Sequence, residues 1–173
     1  WKNNPENFAD IMAEFCDYAA KKYGFYSVFI PMQKRLDYEL AVKIKNKMQS
    51  EAAVMRAEYP VSTLLSIMKE IDICVGMRLH TLIYSANCTV PMIGIVYDPK
   101  ISGFMESMGE KHAVKVEDVS PDTLHAMLDD VCRQYDTIRA RLSVKVRKLK
   151  AGAKENIEYV KKYMTEEPFD GEQ

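Results

Sequence analysis

An arginine and a histidine stand two positions apart in Gly76-Met77-Arg78-Leu79-His80, directly after the apolar run "DICVG". Arginine carries a fixed fork of donors that matches phosphate and carboxylate. Histidine is the side chain suited to proton transfer near neutral pH. Gly76 is expected to let the chain turn sharply from strand to helix. The helix after it would aim its unpaired N–H groups and positive dipole end at the turn, a site for anions. Residues at i and i+2 of a regular helix do not face each other. For Arg78 and His80 to meet one ligand, Arg78 must therefore lie in the entry turn, with Leu79 pointing into the core. Tyr84, one turn after His80, would either line the same pocket or pack. The ordinary alternatives are a surface ion pair for the arginine and a structural role for the histidine.

A second cluster, Tyr97-Asp98-Pro99-Lys100, closes the apolar run "PMIGIVY". Here Asp98 would orient a histidine or accept a proton from a substrate hydroxyl, and Lys100 would hold an anion. Asp-Pro is also a common turn. Gly103 followed by Phe104 suggests a further tight turn over the same rim. His112 and His125 have no comparable context and are expected at the surface.

These residues need elements to position them, and the chain alternates between helical and strand-like patterns. Phe8, Ile11, Met12, Phe15 and Ala19 recur at helical spacing, predicting an amphipathic helix over about 5–22. "FYSVFIPM" predicts a buried strand that ends at Pro31. A helix is expected over "YELAVKIKNKMQSE", then a short strand in "AAVMRA" and a helix in "STLLSIMKEI" capped by Ser62 or Thr63. "DICVG", "PMIGIVY" and "HAVKV" read as strands and "LHTLIYSAN" as a helix. Ser120-Pro121-Asp122 is a helix start, with serine suited to the cap, proline to the first position and aspartate to the dipole. From Leu124 to Met164 apolar residues recur in steps of three and four, one face of helix over about eleven turns. Gly152 is the expected site of any break, and the tail "TEEPFDGEQ" is expected to fray.

Strands alternating with helices imply an α/β protein with a Rossmann-like, mostly parallel sheet flanked by helices and a long C-terminal helix. Residues 1–120 form the expected Rossmann-like domain, 121–164 a long helical segment packing on it, and 165–173 a frayed tail. Ligands of such sheets bind outside the carboxyl ends of the strands, so Arg78 and Lys100 are expected at one rim.

The 173 residues suffice for one domain with a core. A net charge of −1 argues against bulk electrostatic binding to nucleic acid. No apolar run nears the roughly 20 residues of a membrane span, and the polar opening "WKNNPENFAD" does not read as a signal peptide. Cys16, Cys74, Cys88 and Cys132 form no CxxC pair, which suggests reduced thiols and a cytoplasmic setting. Nothing in the sequence demands a metal. Trp1 in place of methionine is expected of a piece of a longer protein. Between Arg133 and Lys150 lie seven Lys or Arg residues against the single acid Asp136. That stretch suits an anionic membrane surface, a solvated face, or one that covers a partner domain.

The stretch "GMRLHTLIYSANCTVPMIGIVYDPKISGFMESMG" closely resembles the polysaccharide pyruvyl transferase family, whose members carry G-x-R-x-H, a small-residue helix, a proline-led strand, and Y-D-P-K before Gly-Phe. The resemblance implies the C-terminal half of a two-domain, B-type glycosyltransferase-like fold. It also implies that the N-terminal domain, and a strand ending in arginine just ahead of Trp1, belong to the longer protein. The implied reaction moves pyruvate from phosphoenolpyruvate, as donor substrate and with no cofactor, to two hydroxyls of one sugar. It implies donor contacts by Arg78 and His80 near the backbone of Leu79, with Gly76, Tyr97, Asp98 and Lys100 in the same substrate-binding motif. Arg78 is the expected anion clamp and His80 the expected proton-transfer group. The implied acceptor is a polysaccharide or lipid-linked sugar of a bacterial cell wall or capsule, at the inner face of the membrane. A chain supplying one wall of a cleft is expected to fold alone, to self-associate through apolar helix surface, and to be inactive alone. A nucleotide-sugar glycosyltransferase domain and a non-catalytic anion-binding module are the rival functions. The first would want a carboxylate for ribose hydroxyls well after the phosphate turn, and Asp98 sits too close to the motif's own strand.

Overall fold

A computed structural model describes residues 5–56 and 58–166. Trp1, Ala57 and the tail beyond Glu166 lie outside the described residues. Helix α1 (Pro5–Tyr23) buries Phe8, Met12, Phe15, Cys16 and Ala19 along one stripe. Gly24 ends it at φ +71°, a left-handed conformation that glycine adopts without steric penalty. Its N–H donates to the Ala20 carbonyl at 2.9 Å. Strand β1 (Ser27–Phe29) follows, then α2 (Lys34–Lys47), β2 (Ala52–Val54) and α3 (Val61–Lys69). Strand β3 (Cys74–Gly76), α4 (Leu79–Asn87), β4 (Met92–Val96), α5 (Pro99–Met108) and β5 (Ala113–Lys115) continue the alternation. A 3₁₀ turn (Val116–Asp118) leads to α6 (Pro121–Arg133) and α7 (Tyr135–Glu166).

The strands form two parallel sheets, one of β1 and β2 and one of order β3-β4-β5. The fold is α/β and consistent with a Rossmann-like arrangement. Helix α1 packs on α2 and on α6, and so reaches both sheets' helical cover, whereas α4 packs on α3, α5 and α7. The core is densest around β4, where Met92, Ile93 and Ile95 are buried on both faces, as a central parallel strand requires. Ile101, Met105 and Met108 of α5, Leu124, Leu128 and Val131 of α6, and Ile138 and Leu142 of α7 complete it.

Several local expectations need correction. The cap of α3 is Pro60, not Ser62 or Thr63, because the chain already turns helical at Val61. Gly103 lies inside α5 rather than in a turn. The long apolar stripe is broken at Gln134, between α6 and α7, and Gly152 sits in uninterrupted helix. The stripe stops being buried after Val146. Beyond it, Leu149, Ile157, Val160 and Met164 are more than half exposed. Helix α7 continues through Thr165 and Glu166, where fraying was expected. Among the described residues, no helix is long and apolar enough to cross a membrane.

Both histidines expected at the surface are built in. The His112 ring is 4% exposed, with its Nε2 at 2.8 Å from Asp130 Oδ2 and its Nδ1 at 3.9 Å from Glu110 Oε2. The Glu110 carboxylate is fully buried and accepts from Arg141 Nη2 at 2.8 Å. Asp130 also takes Gln134 Nε2 at 2.7 Å, pairs with Arg133, and has Lys111 Nζ at 3.3 Å. This cluster gathers β5, α6 and α7 at the junction where the long helix breaks. His125 stacks on Tyr18 with centroids 3.8 Å apart, and its Nε2 is buried. Glu110 is close to His112 in sequence, but Asp130 and the Tyr18 that covers His125 come from elements far along the chain.

Glu110, and then Asp130, raise the His112 pKa against the opposing effect of burial. A raised folded-state pKa stabilises the fold fully below the unfolded histidine value of about 6.5, and that contribution is lost as pH rises through the folded value. His112→Ala should therefore lower stability by about 1.5–3 kcal/mol in mildly acidic buffer. The deficit should shrink as pH climbs. Urea unfolding of both proteins across that range measures this, and parallel stability curves would show that ring charge contributes nothing. Leu142→Ala, which empties a fully buried site, should cost about 2–5 kcal/mol at every pH.

Candidate functional site

The glycine of the G-x-R-x-H segment serves packing rather than turning. Gly76 is the last residue of β3, and a Cβ built on it would lie 2.7 Å from Leu82 Cδ2 of α4. A larger residue here would force the Leu82 side chain to shift. Leu82 is fully buried. Arg78 is the N-cap residue of α4, with extended backbone (φ −97°, ψ 131°), so it lies in the entry turn as the i, i+2 argument requires. Leu79 is only half-buried and takes no place in the core, contrary to expectation.

The guanidinium of Arg78 is held by a residue that sequence reasoning missed. Nη2 donates to Asp37 Oδ1 at 2.6 Å and Nε donates to Asp37 Oδ2 at 3.2 Å, a fork-to-fork pair. Asp37 Oδ2 also accepts from the backbone N–H of Gln33 at 2.9 Å. Both side chains are about three-quarters buried. Asp37, and secondarily Tyr97, raise the Arg78 pKa. The only sequence signal for Asp37 was its place near the start of α2, where an acid suits the helix dipole. Nothing local tied it to a motif 41 residues away.

Arg78 and Tyr97 lie on the wall of a cavity of about 840 Å³ between β1 and β3. Its lining is largely apolar, from α1, α2 and the two strands, and includes Asp37, Gly76 and Met77. His80 is exposed and not part of that wall, so the cavity gathers Arg78, Tyr97 and Asp37 but not the histidine. The His80 ring lies 6.4 Å from the Tyr84 ring, on the next turn of α4. Tyr84 is half-buried against the core.

Asp98 caps α5. Its Oδ1 accepts from the Lys100 N–H at 2.9 Å, with Pro99 at the first helical position. That backbone bond, followed by the Lys100 side chain, lowers the Asp98 pKa. Lys100 Nζ stands 3.4 Å from Asp98 Oδ2 and 6.0 Å from the centre of the Tyr97 ring. Asp98 is thus committed to a helix start rather than to a histidine. Lys100 is half-exposed and is not part of the cavity wall. Cys16 and Cys74 line the cavity as thiols, with burial pushing each up to about 11.

The Arg78–Asp37 pair links α2 to the β3–α4 turn, so it should be visible in stability as well as in binding. The double-mutant cycle of Asp37→Ala and Arg78→Ala should give a coupling of about 1 kcal/mol, reduced from the value of a fully buried pair because both ends meet solvent. Additive single effects would show that the two side chains are held independently.

A family model described as polysaccharide pyruvyl transferase matches residues 2–99. The match takes in α1 through β4, both walls of the cavity, and the whole G-x-R-x-H segment, and it stops one residue short of Lys100. No solved structure matches the chain. A match over more than half of the sequence, containing the strand end and helix start that position Arg78, establishes that the chain belongs to the polysaccharide pyruvyl transferase family.

Proposed function

We propose that this chain supplies the donor-binding wall of a transferase that moves pyruvate from phosphoenolpyruvate to two hydroxyls of one sugar in a cell-wall or capsular polysaccharide. The observation that carries the proposal is Arg78, fixed by Asp37 at the carboxyl end of β3 and at the N-terminus of α4. Phosphoenolpyruvate presents a phosphate and a carboxylate, and a guanidinium beside a helix N-terminus is complementary to either. Asp37 engages Nε and Nη2, which orients the remaining edge of the fork without neutralising its donors there.

In the reaction, carbon 3 of the donor takes up a proton, which makes carbon 2 electrophilic. One sugar oxygen bonds to carbon 2, phosphate leaves with the electrons of its C–O bond, and the second sugar oxygen closes the cyclic ketal. Each hydroxyl gives up its proton. Arg78 is assigned to charge stabilisation on the donor and His80 to the proton at carbon 3. Leu79 contributes backbone at the helix start, and Tyr97 and Lys100 border the donor on the β4–α5 side. The exposure of His80 fits a site whose second wall, with the acceptor contacts, comes from another domain. The chain alone is then expected to bind donor at only the millimolar level, near −4 kcal/mol, and to turn none over. The proposed setting is the inner face of the membrane, on lipid-linked acceptors.

In the full-length enzyme, Arg78→Ala should weaken donor binding by roughly tenfold to over a hundredfold, the equivalent of ~1.5–3 kcal/mol. Arg78→Lys should restore little, because lysine cannot engage Asp37 and an anion in one plane. His80→Gln should lower turnover by ~10²–10⁴-fold with a smaller effect on donor affinity. Phosphate release from phosphoenolpyruvate with a sugar acceptor is the assay. Full rescue by lysine would reduce Arg78 to a point charge, and a His80 defect confined to affinity would make it a ligand only.

A further inference from the structure

Beyond Val146, helix α7 keeps its apolar stripe but loses its cover. Leu149, Ala153, Ile157, Val160 and Met164 continue the spacing of three and four residues, and all are exposed. Two chemically different edges flank this stripe. Lys150, Lys154 and Lys161 each follow a stripe residue by one position, which on a helix aligns them along one side of it. Tyr159 and Tyr163 each precede a stripe residue by one position and form the other side, with their ring centres 5.5 Å apart. Glu155 stands on the face opposite the stripe, together with Lys148 and Lys162. Glu158 lies beyond the lysine edge, where it pairs with Lys161 at 3.0 Å. From Arg147 to Met164 there are six Lys or Arg residues against two glutamates, in a chain whose net charge is −1. Positive charge is therefore concentrated on this one arm, and most of it borders exposed apolar surface.

We propose that the distal half of α7 lies flat on an anionic phospholipid surface, with its apolar stripe in the acyl boundary and its lysines among the headgroups. Among the described residues no helix is long and apolar enough to cross a membrane, so the contact is that of a helix in the plane of the interface. Both edges suit that depth. Lysine keeps its stem on apolar surface while its ammonium reaches the headgroup phosphates. Tyrosine places an apolar ring inward and a hydroxyl at the water boundary. Charge complementarity selects the bilayer over a second copy of the chain. In an antiparallel pair of helices the lysine edges would oppose each other, and like charges so placed are unfavourable. An anionic surface meets all three lysines with opposite charge, and the glutamate on the far face points away from it. The donor site around Arg78 takes no part in this contact.

Co-sedimentation with vesicles tests this, on the full-length enzyme and on the 173-residue chain. One set of vesicles mixes phosphatidylglycerol with phosphatidylcholine, and the other is phosphatidylcholine alone. Both proteins should bind the mixed vesicles, bind the neutral ones far less, and come off as salt rises. Lys150→Gln with Lys154→Gln should weaken binding by about thirtyfold, near fivefold for each basic residue at the surface. Lys148→Gln with Lys162→Gln removes the same charge from the opposite side of the helix and should cost only a few-fold. Ile157→Ser with Val160→Ser should weaken binding by roughly tenfold or more. These positions are exposed, so circular dichroism should show the fold of each variant intact. Equal binding to neutral vesicles, or equal loss from the two lysine pairs, would overturn the proposal. So would binding by the 173-residue chain and not by the full-length enzyme, which would mean that another part of the protein covers the stripe. Failure of both proteins to bind would do the same, whether they sediment as monomers or as a pair of copies joined through α7.

Discussion

Two parallel sheets that share no ladder among the described residues are joined by helix α1 and by the forked ion pair of Asp37 and Arg78. Helix α1 lays its apolar stripe between α2 and α6, and Asp129 of α6 fastens its last turns by accepting from the hydroxyls of Tyr18 and Tyr23 and from Lys22. Lys22, Tyr23 and Tyr18 hold Asp129 down to about 2, and the Asp129 carboxylate in turn pushes Tyr23 up to about 12. On the other side of the cavity, Asp37 reaches from α2 to Arg78 at the end of β3. These two connections matter at the rim because, among the described residues, no strand pairing bridges the gap.

That constraint gives Arg78 two roles in one geometry. Its fork ties α2 to the end of β3 through two nitrogens, and the same tie fixes the plane in which the rest of the guanidinium would meet the proposed donor. An arginine oriented by a carboxylate loses less conformational freedom on binding than one that is mobile in water. His80 has no such tether. It stands on the first turn of α4 in solvent, where its orientation is set by what approaches it. The contrast suits an anion-holding group built into one wall and a proton-handling group completed by another.

At the far end of the sheet, burial replaces exposure as the organising condition. The His112 ring lies between the carboxylates of Glu110 and Asp130, buried on the Glu110 side and part-exposed on the Asp130 side, and Arg141 closes the row from α7. A carboxylate as buried as that of Glu110 is tolerable only with partners of opposite charge. The row therefore fixes where α6 ends and α7 begins. Past Val146 no core remains for the helix to cover, and its apolar stripe runs out into solvent.

The sequence by itself determined the alternation of elements, because period-2 and period-3.6 patterns and the Ser120-Pro121 start are local signals that packing did not override. The boundary between the strand-like run and the helix-like run also placed Arg78 in an entry turn, whereas the pocket expected to hold Arg78 and His80 together is not the cavity that Arg78 lines. The G-x-R-x-H and Y-D-P-K motifs marked the family. Only the tertiary structure decided which charges meet. Asp37 joined Arg78, His112 went inside against Asp130 and His125 stacked on Tyr18, because partners 18 to 107 residues away supplied what their neighbours in sequence did not, whereas Asp98 turned to the start of its own helix. The role of Gly76 was likewise decided by the approach of Leu82, a distance between elements that no local pattern encodes. The gap between β1 and β3 belongs to the same class, because strand neighbours are a property of the sheet and not of any strand.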